Sequence, residues 1–173
     1  MKKIFKSINK VTEAIEKYII FSSILLMMVN STANAIGRYA FDRSLFFSEE
    51  LNQFLIVAVT FIGFAYAVRK GRNIRMTAMY DSMGYRGKKI ISTLIAAVTG
   101  VLIFYLAYKS IFYVQELKEI NRLSPALQFP VYIIYSIIPV GLFIAGLQYI
   151  IAFFMNLTHR EIYVSHDVVE DKW

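Results

Sequence analysis

The residues best suited to chemistry in this sequence form a Ser-Glu-Glu triplet, Ser48, Glu49 and Glu50, directly before a long apolar run. The Ser48 hydroxyl can cap the unpaired amides at the start of a helix, and the two carboxylates then face the positive end of the helix dipole. Alternatively, the carboxylates contact Arg38, Arg43 or another protein, and an ion site is a third interpretation. The residue types leave all three roles open.

Groups suited to catalysis are sparse. The two histidines, His159 and His166, follow the last apolar run, and the chain contains no cysteine. The sequence has no Gly-rich phosphate loop, no metal-ligand spacing and no acidic residue deep inside an apolar run. Proton-coupled carriers place an ionisable group at such depth. We therefore expect no catalytic, cofactor-binding or metal-binding site, and no proton-coupled transport by this chain alone.

Four apolar runs dominate the chain, at residues 18–37, 51–68, 90–114 and 132–154. Crossing a hydrocarbon core of roughly 30 Å takes about 20 mostly apolar residues, and the backbone polar groups must be paired internally. The runs therefore predict an all-α integral membrane protein. A single four-helix domain would occupy residues 1–158, and a short cytoplasmic tail residues 159–173.

The positive charge follows the connections between the runs. Five lysines precede the first run and seven Lys or Arg residues separate the second from the third, whereas each of the other two connections carries two. Because cytoplasmic loops of membrane proteins are enriched in Lys and Arg, both termini are predicted to be cytoplasmic. The net charge of +7 thus indicates a membrane orientation and contact with lipid rather than binding to nucleic acid.

The segment before the first run has a helical pattern of its own. Ile4, Ile8, Val11 and Ile15 recur at helical spacing, with lysines on the other faces. This pattern predicts an amphipathic helix on the cytoplasmic membrane surface, although a simple extension of the first span fits equally well. A shorter segment at residues 76–83 is predicted to lie in the same interface.

The start of the chain also has features of a cleavable signal peptide. Basic residues precede an apolar stretch, and Ala33-Asn34-Ala35 follows it like a small-residue cleavage site. The long polar leader favours the alternative, in which the first span is retained. The orientation of the other three spans is the same in both cases.

One face of the first span carries small and polar residues, namely Ser23, Met27, Asn30, Asn34 and Gly37. We call these residues the polar stripe. Small and polar stripes typically mark helix packing in membranes. The sequence leaves open whether the partner helix belongs to this chain or to another.

Lys109 lies near the outer end of the third span and shares a face with Tyr105 and Tyr113. Its amine is expected to reach the interface, with pairing to Glu116. A partner contact or a place along an ion path is the alternative. Pro139, inside the last span, lacks a backbone N–H and predicts a kink there.

Four motifs in a fixed order carry a family resemblance. They are RYAF at residues 38–41, SEE at 48–50, FIGFAYAVRKG at 61–71 followed by Ile74, and SPALQFP at 124–130, which runs on through Tyr135 to IPVG at 138–141. In this order and spacing, roughly residues 10–158 resemble the small, DctQ-like membrane subunit of tripartite ATP-independent periplasmic (TRAP) transporters.

The resemblance implies a function that the residues alone do not define. Such subunits pair with a large membrane subunit, which holds the substrate and sodium sites and moves substrate by an elevator-like motion. A periplasmic binding protein delivers an organic acid, such as sialic acid or a C4-dicarboxylate. This chain would then be a scaffold in the bacterial inner membrane that helps dock the binding protein. The candidate partner-interface residues are Ser23, Asn30, Asn34, Gly37, Arg38, Ser48, Glu49, Glu50 and Lys109.

Two other classes of protein stay open at this point. A self-sufficient small multidrug-type carrier is expected to have a mid-membrane carboxylate in its first span, and residues 18–37 contain none. A small integral-membrane enzyme is expected to have a cluster of His, Asp or Arg at a membrane face. Only Arg38, Glu49 and Glu50 approach such a cluster.

Overall fold

The computed structural model describes residues 2–71, 84–159, 161–165 and 168–169. In this part of the chain the helices are α1 Lys2–Phe41, α2 Ser48–Arg69, α3 Tyr85–Glu119, α4 Val131–Tyr135 and α5 Ile137–Thr158. Two short strands, β1 Tyr163–Ser165 and β2 Val168–Val169, pair antiparallel after the last helix. The predicted interfacial segment at residues 76–83 lies outside the described residues.

Four stretches of helix are long and apolar enough to cross a membrane, which confirms the predicted fold class. They are Val11–Phe41, Ser48–Arg69, Tyr85–Glu119 and Val131–Thr158. The helices extend past the apolar runs because polar turns continue them at their ends. For α3, 35 residues correspond to a length of about 52 Å. The antiparallel strands give the tail local structure that the sequence did not predict.

The N-terminal leader is helical, as its periodicity predicted, but it is not a separate element. Helix α1 runs through 40 residues from Lys2 to Phe41, so the leader joins the first span directly. This backbone is the extension of the first span that fitted the sequence equally well. The surface location of the leader and the cytoplasmic side of both termini stay predictions.

The chain divides into two compact units, and the first comprises Met1–Gly63 and Ser110–Ile138. Along α1 its most buried positions are polar: Glu16, Ser23 and Asn30 are each less than a tenth exposed. They are seven residues apart, which is about two helical turns, so they lie on one face. The first unit is therefore organised around polar side chains as well as apolar ones.

The second unit comprises Phe64–Lys109 and Pro139–Trp173, and its buried positions are mostly small. Ala96, Gly100 and Ala107 form the buried face of α3 within it. A Cβ on Gly146 of α5 would lie 2.9 Å from the ring of Phe104, so the glycine lets the ring approach the α5 backbone. Helices in lipid gain no hydrophobic drive from meeting, and close packing of this kind holds them together instead.

The last span is interrupted near its start. Ser136 separates the five-residue helix α4 from α5. Pro139 follows three residues later and has no N–H to donate to the preceding turn. The interruption predicted from Pro139 is therefore present, and it falls one turn before the proline itself.

Candidate partner-binding surface

Asn30 joins α1 to the start of α2. Its side-chain amide donates to the Ser48 carbonyl at 2.9 Å and to Oδ1 of Asn52 at 2.9 Å. The Asn52 amide in turn donates to the Ser31 hydroxyl at 3.0 Å. The polar stripe thus faces this chain's own second helix at Asn30. This contact answers, for Asn30, the question that the sequence left open.

Two further stripe residues hold the connection between α1 and α2. Oδ1 of Asn34 accepts the Leu45 N–H at 2.7 Å. The Gly37 carbonyl accepts the Arg43 N–H at 3.0 Å, and Asp42 between them has a φ of 53°. A Cβ on Gly37 would lie 2.7 Å from the Arg43 carbonyl oxygen, so only glycine lets the connection lie this close.

Glu50 binds a loop that is distant in sequence. Its carboxylate accepts hydrogen bonds from the Ser124 hydroxyl, from the Ala126 N–H at 2.8 Å and from the Leu127 N–H at 3.0 Å. In the described part of the chain it forms no ion pair with Arg38 or Arg43. Glu50 therefore has an internal partner that the sequence analysis did not consider.

The loop that Glu50 binds is ordered by its own backbone. The Ser124 N–H donates to the Phe129 carbonyl at 2.9 Å, and the Val131 N–H donates to the Arg122 carbonyl at 3.1 Å. Asn121 and Gln128 adopt φ values of 48° and 51°, which turn the chain at the two ends of the loop. Ser124 is 1% exposed, so its hydroxyl is committed to this contact.

Around these contacts, several side chains project outward from the first unit. Phe46 is 76% exposed, and Leu127 and Phe129 are each about two-fifths exposed. Glu49, the neighbour of Glu50, is also exposed. We call these four residues the connection surface. Large exposed apolar side chains on a loop held by buried hydrogen bonds are suited to binding a protein.

The nine candidate interface residues fall into two groups by exposure. Arg38, Glu49 and Lys109 are exposed. The other six are partly or fully covered by the chain itself, and Ser23, Asn30 and Ser48 are the most buried of them. Ser48 is also the first residue of α2 rather than the residue before it. Contact with a partner stays a prediction for all nine, and it is most direct for the exposed three.

Lys109 places its amine over an aromatic ring. Nζ lies 5.7 Å from the centroid of the Tyr105 ring, and both side chains are exposed. In the described residues Lys109 has no ion pair with Glu116. The cation–π contact therefore takes the place of the predicted pairing.

Sequence reasoning missed several buried polar residues. Ser124 and Asn52 carry the contacts to Glu50 and Asn30, and Glu16 and Arg69 are 3% and 1% exposed. Arg69 ends a quoted motif, but it was counted only as a loop charge. Gln148 in α5 is 7% exposed, and its Oε1 has no hydrogen-bond partner among the described atoms. The described residues contain no group of His, Cys, Asp or Glu arranged to hold a metal.

The fold thus defines a small multi-pass helical membrane protein, and comparison with known proteins gives its family. Residues 27–159 match the DctQ component of tripartite ATP-independent periplasmic transporters. The chain is also 41% identical over 167 residues to the ectoine TRAP transporter small permease protein TeaB of Halomonas elongata, covering 96% of this chain and 86% of that protein.

This chain belongs to the DctQ family and is the small permease subunit of a TRAP transporter. It is therefore a multi-pass protein of the bacterial inner membrane. Small permease subunits of this family work with a large membrane subunit and a binding protein.

Proposed function

We propose that this chain is the scaffold subunit of a sodium-coupled importer of an organic acid, and that it helps dock the periplasmic binding protein. The large subunit carries substrate in this proposal, while the small subunit holds a fixed docking surface beside it. The substrate belongs to the sialic acid or C4-dicarboxylate class, or to the wider class of small carboxylates. Ectoine carries a carboxylate and joins the panel because TeaB is 41% identical to this chain.

The observation that carries the docking role is the Glu50 contact. Through it, the start of α2 and the loop at residues 120–130 are joined within the first unit. A preorganised surface binds a partner more tightly because less conformational entropy is lost on association. The connection surface is held in this way. Among its four members, Glu49 supplies a charge that is free of this internal contact.

Uptake into liposomes tests the proposal as a whole. The chain is reconstituted with its large subunit, and the binding protein is supplied outside together with radiolabelled N-acetylneuraminate, succinate or ectoine. Uptake of one of these solutes should require all three proteins and an inward sodium gradient. Uptake that is unchanged when the sodium gradient is removed contradicts the coupling, and uptake of none of the three contradicts the substrate class.

Two substitutions test docking separately from assembly. Phe46→Ala and Glu49→Gln should each raise the binding-protein concentration needed for half-maximal uptake by about twofold to tenfold, because they remove an exposed contact and a rim charge. Phe154→Ala is the matched control, since this phenylalanine is 60% exposed on α5. Wild-type dependence on binding protein in both variants, with the complex intact, would remove the connection surface from docking.

A further inference from the structure

An open groove lies between α3 and α5 in the second unit. It has a volume of about 550 Å³. Ile90, Leu94 and Ala97 line it on α3, and Phe153 and Leu157 line it on α5. From residue 86 to residue 97 the groove follows α3 for about 16 Å, which is close to half of the roughly 30 Å hydrocarbon core. The groove therefore has the length and the surface to hold one acyl chain in one leaflet.

The end of the groove at the start of α3 is basic. Arg86 and Lys89 line it there, and no acidic residue is among its lining residues. Lys89 donates to the His159 carbonyl at 2.6 Å, which places its ammonium at the C-terminal end of α5. A lysine ammonium has three N–H donors, so donors remain for a second acceptor.

The other polar groups along the groove are already engaged. The Thr93 hydroxyl donates to the Lys89 carbonyl at 2.7 Å. The Asn156 amide donates to the Tyr163 carbonyl at 2.8 Å, and its oxygen accepts the Tyr163 N–H at 2.7 Å. The recognition chemistry that the groove offers is thus two cations above an apolar slot.

We propose that this groove binds an anionic phospholipid, with one acyl chain along α3 and α5 and the phosphate at Arg86 and Lys89. Basic pockets between membrane helices select anionic headgroups because the charges act near a low-dielectric interior. The bound lipid fills the groove and links the start of α3 to the end of α5.

Lipid titration of the full chain tests the headgroup. Delipidated protein in mild detergent is titrated with phosphatidylglycerol or with phosphatidylcholine of the same acyl chains, and bound lipid is counted by native mass spectrometry. Phosphatidylglycerol should bind about tenfold more tightly. The double change Arg86→Gln with Lys89→Gln should abolish this preference, whereas Lys118→Gln, at the other end of α3, should keep it.

Two further measurements guard this result. Lys89 also bonds a backbone carbonyl, so Arg86→Gln alone is the second charge variant, with circular dichroism as the check of folding. It should lower the preference by about threefold. Equal binding of both lipids to the wild type, or an equal loss of preference in Lys118→Gln, overturns the proposal. Full displacement of phosphatidylglycerol by millimolar inorganic phosphate would show an anion site without a lipid site, which also overturns it.

A pair of neighbouring substitutions tests the acyl slot. Ala97→Trp places a large ring in the groove and should reduce the binding of both lipids. Val98→Trp is the control, because Val98 is 59% exposed and is not a lining residue. If Ala97→Trp binds phosphatidylglycerol as the wild type does, the acyl chain does not occupy this groove.

Discussion

Replacing Gly37 by alanine should destabilise the protein, whereas the same change at Gly63 should not. Both glycines lie inside helices, Gly37 in α1 and Gly63 in α2. A Cβ at position 37 would lie 2.7 Å from the Arg43 carbonyl oxygen, which is a backbone atom and cannot rotate away. A Cβ at position 63 would meet no atom of this chain within 4 Å. The pair thus compares one chemical change in two environments.

The size of the effect follows from three terms. Alanine in place of glycine in an open helix position stabilises by about 1 kcal/mol. A methyl group forced into a filled space typically costs about 1–3 kcal/mol. Moving the Arg43 carbonyl also strains the 3.0 Å hydrogen bond from Arg43 to Gly37, which is worth about 1 kcal/mol. Gly37→Ala should therefore lose about 1–3 kcal/mol, and the two variants should differ by about 2–4 kcal/mol.

Reversible unfolding of the full chain in mixed detergent micelles gives the free energy of unfolding for each variant. Chain without its large subunit is used, so that contacts of Gly63 with a partner do not enter. Hydrogen exchange at the Leu45 amide, which donates to Asn34 in the same connection, gives a local measurement. Equal unfolding free energies for the two variants, with unchanged exchange at Leu45, would refute the steric argument.

Three further predictions follow from the contacts described above. Glu50→Gln should raise hydrogen exchange at the Ala126 or Leu127 amide several-fold, because a side-chain NH₂ must then face one of these donors, while Glu49→Gln leaves both unchanged; equal exchange in the two variants would contradict the role of the carboxylate. Asn156→Leu should release the tail after α5, because two hydrogen bonds to one residue are lost, and limited proteolysis should then cut there sooner than in wild-type protein. The chain alone in liposomes should not take up any organic acid under a sodium gradient, and uptake without a partner would support a self-sufficient carrier.

Much of the architecture could be predicted because it depends on short-range rules. Four runs of about 20 apolar residues require helices in lipid, whatever their partners are. The small and polar face of α1 could be found from helical spacing alone. The interruption in the last span follows from the missing N–H of Pro139. Each of these inferences needs only residues that are close together in the sequence.

The partners of the polar residues could not be predicted in the same way. Glu50 and Ser124 are 74 positions apart, and neither carries a sequence signal for the other. The sequence offered Arg38 and Arg43 as nearby cations, but backbone amides of a distant loop are the donors instead. Every residue except proline carries such an amide, so residue type does not reveal which amide a carboxylate meets.

The sequence by itself determined the membrane location, the number of spans and the family, because these depend on composition and on motifs that can be read locally. Only the tertiary structure decided that Asn30 faces this chain's own second helix and that Glu50 holds the loop at residues 120–130. It also decided that Arg86 and Lys89 stand over an apolar groove. The physical reason is that burial and hydrogen-bond geometry depend on how distant helices meet. In lipid those meetings are set by close packing and polar contacts rather than by apolarity, which all four spans share.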